Sequence, residues 1–182
     1  ENYMMLRSVP FDTVAALMTA HFVSRQIYAG SGRVGIGERS ETAGYQLSQR
    51  ADYIHAILGL QTTFERPIVN TRDESHSPSD YRRLHVIVGD ANRMDVPQTL
   101  KLGATSMLLW LAEHADETGY DLAALLDSMA LVDPVSAMHT VSHDLTLQAE
   151  LPLRDGGVTN AWIMQVRLRA AVYEMGALVY GT

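Results

Sequence analysis

The chain contains no cysteine, which excludes a disulfide framework, a catalytic thiolate and a zinc site built on thiolates. This composition is typical of proteins from a reducing compartment, and we expect a cytoplasmic location. The sequence also has no run of about eighteen apolar residues, and no charged N-terminal segment followed by an apolar stretch and a cleavage site. We therefore expect no membrane partner and no export.

Basic residues are also scarce, with 14 Lys and Arg against 21 Asp and Glu and a formal net charge of −7 at pH 7. Because a nucleic-acid-binding face is normally rich in positive charge, we expect no nucleic-acid partner. The 182 residues, 47% of them hydrophobic, suffice for one buried core. The chain starts inside a predicted strand and stops after an amphipathic helix, so we expect a fragment whose partner is the remaining portion of the same polypeptide.

Hydrophobic periodicity and capping residues predict a chain with both helices and strands, of the α+β class. Predicted strands cover residues 1–6, 44–48, 67–70, 85–88 and 149–153. Predicted helices begin near Pro10, at Asp95, at Asp121, at Asp133 and near Thr159 or Asn160, and the first two end before Gly30 and at Gly119. The glycines among residues 30–37 predict a turn, and residues 75–80 are predicted to form a loop.

The clearest sign of function is the charged segment 70–74, which precedes the β-branched run of the predicted strand 85–88. Charged groups rarely stand beside a buried strand unless a charged ligand binds there. Arg72, Arg82 and Arg83 lie close together in the chain, and the planar guanidinium fork suits phosphate or carboxylate. Two interpretations stay open: a phosphate clamp, or surface ion pairs with the neighbouring acids Asp73, Glu74 and Asp80.

Glu1 and His85 are candidate ligands of a divalent cation. In a strand, residues two apart share a face, so Tyr3 is expected to point the same way as Glu1, and Ile87 the same way as His85. A carboxylate from one strand and an imidazole from another would suit Mg²⁺ or Mn²⁺ holding the phosphates of a nucleotide, with Tyr3 and Ile87 beside it. The alternative is that His85 is a core histidine with an ordinary hydrogen-bond partner.

Two weaker patterns favour ordinary structural roles. His139 and His143 stand four apart on a predicted helix, a spacing compatible with a metal, but no catalytic glutamate motif lies between them. The glycine-rich segments 30–32 and 35–37 lack the fingerprint spacing that precedes a nucleotide-binding helix.

Several segments in fixed order make the chain similar to the Pup ligase and depupylase family. They are 1–3, 23–26, 48–52, 66–74, 81–92, 100–105 and 141–144, and they span nearly the whole sequence. Residues 32–37, 44–53 and 59–63 resemble the depupylase branch more than the ligase branch. The resemblance implies a glutamine synthetase-like fold, in which a curved antiparallel sheet backed by helices holds ATP and Mg²⁺, and it makes residues 1–182 the central part of that catalytic domain.

The resemblance also implies roles for single residues. By analogy with the superfamily, Glu1 and His85 would be magnesium ligands, and Tyr3 and Ile87 would contact the nucleotide. Arg72, Arg82 and Arg83 become the expected contacts of phosphate or of a substrate carboxylate, with Arg50 behind them. No catalytic residue is assigned within this chain, because the family's catalytic aspartate is expected upstream of Glu1.

The implied activity is that of a depupylase, an enzyme acting on Pup, a small ubiquitin-like modifier, and on pupylated proteins. Depupylases hydrolyse the isopeptide bond between the C-terminal glutamate of Pup and a substrate lysine, and they deamidate a C-terminal glutamine of Pup. Metal and arginine charge aimed at the developing oxyanion would polarise that amide. The segment alone is expected to be inactive, since it lacks the catalytic base.

The chain departs from the family pattern where Ser75 replaces the proline that usually follows the Asp-Glu pair, and where Pro97 enters a helix start. Three alternatives to a depupylase stay open: a Pup–protein ligase, a non-catalytic Pup-binding paralogue and a small-molecule amine ligase related to glutamine synthetase.

Overall fold

The computed structural model describes residues 1–73 and 78–181. Glu74, Ser75 and the first part of the predicted loop 75–80 lie outside the described residues. The helices are α1 (Phe11–Ser24), α2 (Gln26–Ala29), α3 (Asp95–Thr118), α4 (Leu122–Asp127), α5 (Pro134–His143) and α6 (Ala161–Tyr180). The strands are β1 (Asn2–Leu6), β2 (Arg33–Ile36), β3 (Thr42–Gln46), β4 (Ile54–Gly59), β5 (Arg66–Asn70), β6 (Tyr81–His85), β7 (Leu151–Pro152) and β8 (Val158–Thr159). A single turn of 3₁₀ helix, Ala51–Tyr53, precedes β4.

The strands of the described residues pair in twos, and this arrangement corrects one detail of the expected sheet. The pairs β1–β6, β2–β3 and β7–β8 are antiparallel, as expected, but β4 and β5 run parallel. In the described part of the chain these pairs do not join into one continuous sheet. The α+β class is confirmed, because most of the strand pairs are antiparallel and the strands and helices come in separate runs along the chain.

Local signals for helix ends agree with the structure in most places. Asp121, Asp133 and Asn160 each accept a backbone N–H three residues on, at 2.9, 3.0 and 2.8 Å, and so cap α4, α5 and α6. Gly119 ends α3 in the left-handed conformation with a φ of 69°. The predicted cap of α3 is wrong by one residue, because Met94 occupies the N-cap and Asp95 lies in the first turn.

The observed strands differ from the predictions at three places. The glycine-rich segment after α2 is not only a turn, because residues 33–36 form β2, whose register with β3 shifts around Gly35. The predicted strand 85–88 is displaced, since β6 ends at His85 and the apolar residues after it leave the regular ladder. Strand β4 was not predicted, because half of its side chains are exposed and do not alternate regularly.

Helix α1 lies at the centre of the core. Val14, Leu17, Met18 and Val23 have essentially no exposed surface. The helix packs against α3, α5 and α6 and against β5, which explains why it is buried nearly all round. Across residues 1–73 and 78–181, none of the helices has the length and apolar character that a membrane span needs.

Candidate functional site

The predicted site residues fall on a two-stranded ribbon made of β1 and β6, here called the β1–β6 ribbon. Its register pairs Asn2 with His85 and Tyr3 with Leu84. Directly paired residues share a face, and successive residues alternate between faces. The inner face therefore carries Tyr3, Met5, Arg82 and Leu84, of which Met5 and Leu84 are buried in the core. The outer face carries Asn2, Met4, Arg83 and His85.

Glu1 continues the inner face. Its backbone forms a pair of hydrogen bonds with Val86, in which each nitrogen donates to the other residue's carbonyl oxygen, at 3.0 and 2.9 Å. The register does not bring Glu1 and His85 together, because the residue opposite Glu1 is Val86 and His85 lies on the other face. The expected convergence of these two side chains on one cation is therefore not what the ribbon presents, and their roles as metal ligands stay a prediction.

The carboxylate of Glu1 is engaged by three donors. Arg25 Nη2 donates to Oε1 at 2.8 Å, Arg25 Nη1 donates to Oε2 at 3.0 Å, and the Tyr3 hydroxyl donates to Oε2 at 2.5 Å. The side chains of Arg25 and Glu1 are only 3% and 8% exposed. A Cβ atom at Gly89 would collide with Oε1, so the carboxylate occupies space that only glycine leaves open. This is a buried, bidentate ion pair packed against bare backbone.

The surroundings of Arg25 explain the protonation of its neighbours. Arg25 Nη1 also donates to Thr105 Oγ1 at 2.9 Å, and the guanidinium lies over the Phe22 ring, 4.5 Å from its centroid. Burial alone would raise the pKa of Glu1, but the hydrogen bonds and the charge of Arg25 outweigh it and lower that pKa. Burial and the hydrogen bond to Glu1 raise the pKa of Tyr3, so its hydroxyl remains a donor.

The outer face is more accessible. His85 Nδ1 lies 3.0 Å from Asn2 Oδ1, across the ribbon. The backbone nitrogen of Arg83 donates to Asp73 Oδ1 at 3.3 Å, and Asp73 forms an ion pair with Arg7. The hydrogen bond from Arg7 is the main reason that the pKa of Asp73 lies below its ordinary value. The interpretation as surface ion pairs joined Asp73 to Arg72, Arg82 or Arg83, whereas the ion pair that the structure shows for Asp73 is with Arg7.

The three arginines of the predicted clamp are not side by side. Arg82 and Arg83 point to opposite faces of the ribbon. Arg82 Nη2 donates to the carbonyl of Arg7 at 2.9 Å, and its guanidinium lies 5.5 Å from the centroid of Phe11. Arg72 follows β5, is exposed, and donates its backbone N–H to Asn70 Oδ1 at 2.9 Å. Arg82 and Arg83 are therefore not presented on one face as a single clamp.

Sequence reasoning did not single out Asp90 or the loop that it holds. Asp90 Oδ2 accepts the backbone N–H of Ser31 and Gln49 at 2.9 and 2.8 Å, and Oδ1 accepts the Ser48 hydroxyl at 3.0 Å. The next residue in this loop, Arg50, donates from Nη1 to the carbonyl of Ile87 at 2.8 Å. Asp90 therefore fixes the loop that carries Arg50 beside Ile87. The only sequence signal for Asp90 and this loop was that they lie in the segments 81–92 and 48–52, which resemble the Pup ligase and depupylase family.

Asp52 is a second buried acceptor that charge patterns alone did not reveal. It accepts hydrogen bonds from Arg33 Nη1 at 3.0 Å, the Gly37 backbone at 2.8 Å and Gln46 Nε2 at 2.6 Å, and His143 Nε2 lies 2.7 Å from its other oxygen. His139 Nε2 lies instead 2.9 Å from the carbonyl of Ile54. The two histidines thus contact different partners.

The residues present here do not complete a cation site by themselves. Over the described ranges 1–73 and 78–181, no three His, Asp or Glu side chains come together in a way that could hold a metal ion. A cation held by His85 would need further ligands from outside these ranges. Of the predicted nucleotide contacts, Tyr3 lies on the inner face and Ile87 follows the end of β6.

Comparisons with known proteins place this arrangement in a family. The model of the family described as Pup-ligase protein matches residues 1–180. The Pup deamidase/depupylase of Mycolicibacterium smegmatis is 51% identical over 166 residues, which are 91% of this chain and 32% of that protein. The Pup–protein ligase of Kocuria rhizophila is 39% identical over an alignment 182 residues long, which covers 94% of this chain and 37% of that protein.

A solved structure supports the same assignment. The Pup ligase PafA in complex with ADP superposes with a TM-score of 0.75 at 32% identity, over 96% of this chain and 36% of that one. The fold is therefore glutamine synthetase-like, and the chain belongs to the Pup ligase family. The chain spans about a third of the length of the curated relatives that it matches.

Proposed function

We propose that the protein is a depupylase, which hydrolyses the isopeptide bond between Pup and a substrate lysine and deamidates the C-terminal glutamine of Pup. The proposal rests on one observation: the chain is more similar to a depupylase than to a ligase. The chain is 51% identical to a protein named Pup deamidase/depupylase and 39% identical to one named Pup–protein ligase. Its partners in this proposal are Pup and pupylated proteins, and its location is the cytoplasm.

We further propose that residues 1–182 form the central part of the catalytic domain and contribute to an ATP and Mg²⁺ site. The bound ADP of the similar PafA structure supports a nucleotide. In this chain, Glu1 and His85 are the proposed cation ligands, and Arg72, Arg82 and Arg83 are the proposed phosphate or carboxylate contacts. Tyr3 and Ile87 keep their proposed place beside the nucleotide. A bound magnesium ion would supply positive charge to the phosphates and to the polarised amide.

In this proposal, the residues of this chain bind and orient the substrate. Arg50 is held against the carbonyl of Ile87 by the loop that Asp90 anchors, which keeps one guanidinium close to the end of β6. A fixed positive group next to a substrate carboxyl lowers the cost of orienting it, because little reorganisation is needed at the moment of reaction. The base that activates water is proposed to lie in the remaining portion of the polypeptide.

A Pup–protein ligase is the second candidate, because the ligase of Kocuria rhizophila matches along nearly the whole chain. A ligase would activate the C-terminal glutamate of Pup with ATP and pass it to a lysine amine. The same nucleotide site would serve both reactions, so the difference is decided by assay.

The test uses the full-length protein with Mg-ATP and Pup ending in glutamine, with the modifier followed by intact mass spectrometry. Conversion of the terminal glutamine to glutamate supports the depupylase. A parallel reaction contains Pup ending in glutamate and a lysine-bearing protein. Conjugation there without deamidation would replace the proposal with the ligase, and no reaction in either would favour a non-catalytic Pup-binding protein.

A further inference from the structure

Lysine is nearly absent from this chain. Lys101 is the only lysine among its 14 basic residues, and all the others are arginines. Lys101 lies near the beginning of α3 and is only 4% exposed. We propose that the fold keeps Lys101 from serving as an acceptor amine, so that this part of the folded protein is protected from lysine modification by Pup. The inference rests on the proposed function only for the identity of the modifier.

Attachment of Pup to a protein requires a free lysine amine. The lone pair of the amine attacks the carboxyl carbon of the C-terminal glutamate of Pup, which ATP has activated as an acyl phosphate. A C–N bond forms, the C–O bond to the phosphate breaks, the phosphate leaves with that electron pair, and the amine releases a proton to solvent. An amine reaches this carbon in the active site of another protein only when it projects from the surface.

The amine of Lys101 is held inside the protein. Its Nζ donates to the carbonyl oxygen of Asp90 at 2.7 Å. Asp90 is itself only 5% exposed, and its carboxylate accepts the backbone N–H groups of Ser31 and Gln49. Exposure of Nζ therefore requires the beginning of α3 to separate from this anchored loop, and that separation breaks a buried hydrogen bond.

The arginines of the chain supply positive charge without an acceptor amine. A guanidinium group stays protonated and delocalised, so it offers no lone pair for acyl transfer. Arg39 and Arg93 are exposed, and within the described residues neither side chain has a hydrogen-bond or ion-pair partner that only arginine could satisfy. A lysine at either position would carry the same charge and would also present an accessible amine.

The first experiment measures acylation of Lys101 in the full-length protein, without Pup or nucleotide. The protein is treated with the acetylating reagent sulfo-N-hydroxysuccinimide acetate, in buffer and in concentrated urea. Mass spectrometry of the peptide that contains residue 101 gives the rate of acetylation. We expect acetylation in buffer to be at least about tenfold slower than in urea, because a buried amine reacts only through local opening of the structure.

Arg39→Lys and Arg93→Lys are the matched controls, since each introduces one lysine at an exposed position. The introduced lysines should be acetylated at rates that agree within about threefold between buffer and urea, because an exposed amine needs no opening. Circular dichroism confirms that both variants are folded. If Lys101 is slowed in buffer no more than the introduced lysines, the proposal is overturned.

The second experiment replaces the reagent with the modifier. The parent protein and the two variants are incubated with an added Pup–protein ligase, ATP and Pup ending in glutamate, and mass spectrometry maps the attachment sites. We expect Pup on the lysines introduced by Arg39→Lys and Arg93→Lys and none on Lys101. Pup on Lys101 of the folded protein would overturn the proposal. If none of the three positions accumulates a conjugate, the acetylation rates decide.

The acetylation experiment separates this inference from the proposed function. Slow acetylation of Lys101 supports the protection even if the protein does not deamidate Pup. Rapid acetylation removes the protection and leaves the proposed depupylase activity unchanged.

Discussion

Asp52 and His143 lie 2.7 Å apart and join the 3₁₀ turn before β4 to the last residue of α5. The same carboxylate also accepts from Arg33, from the backbone of Gly37 and from Gln46. The side chain of Asp52 is only 4% exposed, so this carboxylate, and not water, accepts the hydrogen bonds of these donors. One residue therefore holds the β2–β3 hairpin, β4 and α5 in a fixed relation.

Replacing Asp52 with alanine is expected to destabilise the protein by about 3 kcal/mol, because several buried donors lose their acceptor at once. Urea denaturation of the full-length protein, followed by fluorescence, measures the change. Asp116→Asn on the exposed face of α3 is the control, with an expected effect within about 0.5 kcal/mol. A loss for Asp52→Ala as small as that of the control would show that water replaces the carboxylate.

The same carboxylate predicts a dependence of stability on pH. Burial alone would raise the pKa of Asp52, but hydrogen bonds from Gln46 and His143, together with the charge of His143, bring it below its ordinary value of 3.8. Because the folded-state pKa is the lower one, this contribution is fully present above pH 3.8 and is lost as the pH falls through the folded value.

The measurement for this prediction compares urea midpoints of the unmodified protein and Asp52→Asn at neutral pH and at several acidic values. The unmodified protein should lose more stability on acidification than the variant, which carries no titrating carboxyl at this position. Parallel pH profiles of the two proteins would contradict the assignment of this acid sensitivity to Asp52.

Gly89→Ala is expected to displace the carboxylate of Glu1 and to destabilise the protein by about 1–3 kcal/mol, because the added Cβ occupies the position of Oε1. Gly176→Ala in α6 is the matched control, since a Cβ there meets no atom within 4 Å. That control should stabilise the protein by about 0.5–1 kcal/mol through helix propensity. Thermal unfolding of the two variants checks both directions, and a neutral Gly89→Ala would show that Glu1 can move without cost.

Ser48→Ala and Asp90→Asn are expected to lower the rate of Pup deamidation by the full-length protein about tenfold, because the loop carrying Arg50 loses part of its anchor and small displacements of a positioning group are costly. Steady-state kinetics with increasing Pup separates KM from kcat, and circular dichroism confirms that the variants are folded. Thr146→Ala, in an exposed loop away from the ribbon, is the control and should keep its activity. Unchanged kinetics in both loop variants would remove Arg50 from the proposed binding of Pup.

Sequence signals predicted the structural features that depend on residues close together in the chain. The caps at Asp121, Asp133 and Asn160 were predictable because each satisfies a backbone donor three residues on. The strand alternation that separates Glu1 from Asn2 was also predictable. Which of the two faces inward was not, because that depends on Arg25, whose side chain reaches Glu1 from another element.

The missed features share this dependence on distant partners. Among the partners of Asp52 is His143, 91 positions away in the chain, and among those of Asp90 is Ser48, 42 positions away. Strand β2 contains a glycine with a φ of 92° and gains its identity only from pairing with β3. Likewise, β6 ends at His85, although the sequence remains β-branched beyond that point.

The β1–β6 ribbon has a consequence for the way in which the protein acquires its site. Glu1 and Val86 are hydrogen-bonded although 85 positions separate them, so the ends of a long segment must meet before the ribbon exists. Closing so long a loop costs conformational entropy, which only the packing of α1 and its neighbours in between can offset. The outer face with Asn2 and His85 therefore depends on the packed core that brings the two strands together. A cation or nucleotide bound there would select molecules that have already folded correctly.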